Sequence, residues 1–155
     1  MIELHLKVAG VLFLLLALIH AGFPRYFNWA RELSGLSLIN RELMYVHTLF
    51  VAFSVLLMGI LCLHSPAALA GTKLGKDICL GLGAFWLLRL LIQFFGYSPA
   101  LWKGKRKETL IHILFSLLWA YFTLLFLMVY FSGSTPPGRY AAHALPAQPY
   151  CSLPA

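Results

Sequence analysis

The chain is poor in charge. Of its 155 residues only 11% are Asp, Glu, Lys or Arg, and only five are acidic. A soluble domain carries about a quarter charged residues and no more than half apolar. Here 61% are hydrophobic, which excludes an ordinary soluble domain and leaves lipid to solvate the excess. Cysteine is scarce too. Cys62, Cys79 and Cys151 form no CxxC pair, so neither a zinc site nor a disulfide framework is indicated. Cys62 and Cys79 flank one loop; a bridge is conceivable, but two reduced cysteines on apolar faces are the simpler reading. The chain also lacks an internal repeat, a Gly-rich phosphate loop, a nucleophile motif and paired carboxylates within its apolar runs. The sequence therefore names no reaction. The net charge of +7 lies between the apolar runs, where it reads as cytoplasmic flanks and contacts to anionic headgroups, not as a nucleic-acid surface.

Those runs are the main content of the sequence. Residues 8–23, 43–63, 78–97 and 110–131 are apolar over lengths near the ~20 needed to span a bilayer. They predict an all-α integral membrane protein, a four-helix transmembrane bundle with up-down topology. The first run could be a signal peptide, but Glu3 and the lack of an A-x-A site favour a retained helix. Gly22 and Pro24 should stop it. In the first loop Asn28 can cap a short interfacial helix with Trp29, Leu33 and Leu36 on one face. Ser37 or Asn40 can cap the next helix. Residues 67–76 read as a small-residue loop, and Asp77 as a first-turn acid opening the third helix. Gly81 and Gly83 would allow close helix approach. The domain is then 1–131, followed by a Pro/Ala-rich extended tail over 132–155.

Basic residues set the orientation. Arg25, Arg31, Arg41, Lys103, Lys105, Arg106 and Lys107 lie in the first and third loops; Lys7, Lys73, Lys76 and Arg139 lie on the other side. The positive-inside rule places both termini outside, in a bacterial inner (cytoplasmic) membrane.

The polar residues inside the runs gather at one depth. His20 precedes Pro24 by four residues, His47 follows Glu42 by five, and His112 follows Glu108 by four. In antiparallel helices all three imidazoles lie roughly 6–8 Å below one surface. Gln93 joins that layer, and Arg89 lies one turn deeper on a face shared with Trp86. Buried ionisable groups in lipid are costly and point to function. His20, His47 and His112 are the expected metal ligands, and Arg89 and Gln93 the expected cofactor contacts. The expected cofactor is a transition metal, haem or a chlorophyll-type pigment. The corresponding function is an accessory subunit of a larger electron-transfer or pigment complex, with other membrane subunits and the bilayer as partners. The alternative is a small stand-alone membrane metalloprotein or metalloenzyme. Each imidazole bonding a nearby hydroxyl, carbonyl or headgroup is the structural alternative to both.

Overall fold

A computed structural model describes residues 1–132. The extended tail expected over 132–155 lies, from residue 133 onward, outside the described residues. The described residues form six α-helices: α1 (Ile2–Tyr26), α2 (Trp29–Glu32), α3 (Leu38–His64), α4 (Pro66–Gly71), α5 (Lys73–Phe95) and α6 (Arg106–Phe131), with a 3₁₀ turn at Pro99–Leu101. The protein is an all-α membrane protein: α1, α3, α5 and α6 are each long and apolar enough to cross a bilayer. The expected set of four long helices and one short helix in the first loop is corrected to six helices among the described residues. The short helix in the first loop is present as α2, but α4 stands where a loop was expected. Its Pro66-Ala-Ala-Leu-Ala-Gly composition has no polar period to announce it, yet Pro66 at its first turn and alanine suit a helix.

Several boundaries also move. Pro24 does not stop α1, which continues to Tyr26. Proline removes one backbone N–H and crowds the carbonyl four residues back. With only two residues left that cost is small, and the turn comes instead at Asn28, whose φ of 48° is left-handed. Asn28 occupies the N-cap of α2 without a side-chain cap bond, as does Ser37 at α3. Trp29 is buried and packs edge-on against Tyr45, with ring centroids 5.3 Å apart. Asp77 does not open α5. That helix starts at Lys73, where the Thr72 hydroxyl accepts from the Gly75 N–H at 2.9 Å.

The long helices pack as two hairpins. α1 lies along α3 and α5 along α6, while α4 touches all four. The α1–α3 crossing is set by Gly10 and Gly59. A Cβ at either position would come 3.0 Å from the other's carbonyl oxygen, so the backbones themselves meet. At the α5–α6 crossing Gly83 faces Leu127, whereas Gly81 faces open space. Cys62 and Cys79 are buried as free thiols. At the α4 end, buried Lys76 donates to the carbonyl of Ser132, the C-cap of α6. A cation suits a helix C-terminus, where carbonyls lack intrahelical donors.

Candidate functional site

Between the hairpins, at the end opposite α4, lies a cavity of about 1060 Å³. The C-terminal halves of α1 and α5 and the N-terminal parts of α3 and α6 surround it. α4 ties the hairpins together at one end only, so they part toward the other. Phe13 of α1 fills the space where they still touch. Its ring stacks on Trp86 at 5.2 Å and lies 4.2 Å from Phe122 and 6.1 Å from Phe126. Trp86 stacks in turn on Trp119 at 5.0 Å. This aromatic ladder closes the floor of the cavity. Leu16, Val51, Val55 and Phe85 line its apolar walls, and Tyr26, Phe27, Tyr97 and Trp102 border its mouth.

His20, His47, Arg89, Gln93 and His112 all contribute to the lining. The layer is therefore spatial as well as sequential, but its imidazoles do not converge. His20 turns back on its own helix, Nδ1 lying 2.7 Å from the carbonyl oxygen of Leu16. A carbonyl only accepts, so this nitrogen carries the proton. His112 ties α6 to α5: its Nε2 lies 3.2 Å from the carbonyl oxygen of Gln93, and its ring stacks on Trp102 at 4.0 Å. His47, on α3, is exposed on the opposite hairpin.

No group of three or more His, Cys, Asp or Glu side chains among the described residues could hold a metal ion. The expected three-histidine metal site is thereby corrected. Metal–imidazole bonds of about 2 Å require ligands crowded around one point, whereas these three stand on separate walls of an open cavity. The haem and chlorophyll-type readings drew on the same imidazoles and are corrected with it. So are the electron-transfer or pigment-complex subunit and the alternative metalloprotein, both of which needed a cofactor in the layer.

The dominant charge inside the cavity is Arg89. Its Nη1 donates to Oε1 of buried Gln93 at 3.1 Å, and its guanidinium lies 4.9 Å from the Trp119 ring centroid and 5.7 Å from that of Tyr97. Arg89 sits six residues before the end of α5, about 9 Å inside, and the side chain reaches toward the mouth. It donates to no carboxylate among the described residues. Glu108, the one acid in the lining, is exposed at the rim.

Two further donors were not foreseen from the sequence. The indole Nε1–H groups of Trp86 and Trp119 are buried, in residues only 2% and 4% exposed, and have no hydrogen-bond partner among the described residues. An orphaned buried donor costs about 1–3 kcal/mol, and buried Trp N–H groups normally find an acceptor. Both residues also line the cavity. One guanidinium that donates to no carboxylate among the described residues thus stands in the wall of a mainly apolar chamber, with the indole N–H groups buried behind it. Such a chamber can hold an apolar body and receive hydrogen-bond acceptors from it at Arg89. Comparison with protein-family models, with curated proteins and with solved structures finds no match.

Proposed function

We propose that this chain is an integral-membrane binding protein whose ligand is a small amphipathic molecule held between the two hairpins. In this reading α1, α3, α5 and α6 span the bilayer as a four-helix transmembrane domain. Both termini lie outside and the mouth of the cavity lies in the cytoplasmic half of a bacterial inner membrane, as the basic residues near Arg25–Arg41 and Lys103–Lys107 favour. The observation that carries the reading is the coincidence of a mainly apolar chamber of about 1060 Å³ with the guanidinium of Arg89, which donates to no carboxylate among the described residues. Small-molecule sites are mostly apolar, with a few placed polar groups, and measure about 300–1,000 Å³; this one lies just above that range.

The test is photolabelling in nanodiscs with a mid-chain diazirine acyl probe, followed by peptide mapping. Saturable labelling of α3 near Val51 and α5 near Phe85 is expected, and Val51→Trp, which takes up part of the chamber, should weaken it. Labelling confined to outward positions such as Leu18, Phe53 and Leu88, rising linearly with probe, would contradict the reading.

A further inference from the structure

We infer that the ligand's polar end is an oxyanion, a carboxylate or phosphate, seated against Arg89. The inference rests on the binding reading above and specifies its chemistry. A guanidinium stays ionised in any protein environment and has five N–H donors and no acceptor. Here one of those donors is spent on Gln93, and the remainder of its surroundings is aromatic faces at Trp119 and Tyr97. Aromatic faces attract the cation but accept no full hydrogen bond and bring no negative charge. Gln93 is neutral. The charge is thus solvated in part and not neutralised within the described residues.

The surroundings point the same way. The indole N–H groups of Trp86 and Trp119 are buried away from the cavity, so the guanidinium is the charged donor that this wall presents. A cationic ligand would meet Arg89 with like charge, and a hydrocarbon would leave its free donors unspent. A neutral alcohol or ester would accept a hydrogen bond but would not neutralise the charge. An oxyanion does both, because guanidinium–oxyanion pairs form charge-assisted, often bidentate bonds. The apolar remainder of the molecule then has Leu16, Val51, Val55 and Phe85 to lie against.

The head has two sources, a free anionic amphiphile or an anionic phospholipid entering from the bilayer. A matched probe pair tests the chemistry, with the carboxylic acid and the primary alcohol of one diazirine-bearing C18 chain in zwitterionic nanodiscs. The acid is expected to saturate the cavity peptides at a concentration about tenfold or more below that of the alcohol. Arg89→Gln should remove that advantage and Arg89→Lys should keep part of it. Adding phosphatidylglycerol to the nanodiscs separates the sources: competition with the acid assigns the head to a lipid phosphate, and its absence assigns it to a free amphiphile. Saturable labelling by acid and alcohol at equal concentration overturns the oxyanion and leaves cavity binding standing. Saturable labelling by neither removes both.

Discussion

The guanidinium of Arg89 rests 4.9 Å from the ring centroid of Trp119, one helix away, while the buried Trp119 N–H has no acceptor among the described residues. The ring face steadies the cation and so holds the charge in place for a ligand, while the N–H stays buried away from the cavity. Trp119→Phe keeps a face and deletes the donor. In the ligand-free protein the lost volume and the relieved orphan oppose each other, and stability should change by no more than about 1 kcal/mol. The extra thermal stability conferred by stearate should fall. Calorimetry with and without stearate separates these effects; equal losses in both states would reduce Trp119 to packing.

The Gly10–Gly59 crossing should be the most sensitive backbone contact of the first hairpin. Gly59→Leu must push α1 from α3, because even a Cβ there meets the Gly10 carbonyl, Leu14 and Phe13 at 3.0–3.1 Å. A loss of about 1–3 kcal/mol is expected from overpacking. Gly81→Ala, which faces open space, should change stability by less than about 1 kcal/mol. Unfolding titrations in mixed detergent give both values, and a large loss at Gly81 would contradict the packing described.

Lys76 should hold the end of α6. Lys76→Met retains the apolar stem and removes the donor to the Ser132 carbonyl. Losing this charge-assisted bond to a half-buried carbonyl should cost about 1–3 kcal/mol. Hydrogen exchange should rise over Met128–Ser132, the last turn of α6, and not at the cavity end. Unchanged protection there would show that the lysine contributes nothing to the cap.

Orientation is open to direct chemistry. In a background with Cys151 replaced, buried Cys62 and Cys79 should react slowly with maleimide in the folded protein. Gly104→Cys should then label from the cytoplasmic side and Thr72→Cys from the other. The reverse pattern would invert the topology.

Depth was legible in the sequence and direction was not. The four long apolar helices followed from runs of about 20 apolar residues, and the meeting of His20, His47 and His112 at one cavity followed from their distance to helix ends. Which way each imidazole turns depends on helix rotation, and that is set by Phe13 wedging between the hairpins and by the glycine crossing of α1 and α3. Those contacts join residues far apart in sequence. The nearest acceptor also matters: His20 finds the Leu16 carbonyl, four residues back on its own helix, a bond no periodicity reveals. The stripe of Trp86, Arg89 and Gln93 was visible as i, i+3 and i+7, and all three do line the cavity. The unpaired indoles were not visible, because a missing partner is a property of the packed helices. The shift of the start of α5 from Asp77 to Lys73 has a local cause, since the Thr72 hydroxyl caps the helix one turn earlier.

Native mass spectrometry tests the central claim most directly. Purified protein titrated with stearate should show a single adduct that saturates at one molecule per chain. Val51→Trp, which takes up part of the chamber, should show a clearly lower adduct occupancy at the same concentration. A ladder of adducts without saturation, or an identical single adduct on Val51→Trp, would contradict a binding site between the hairpins.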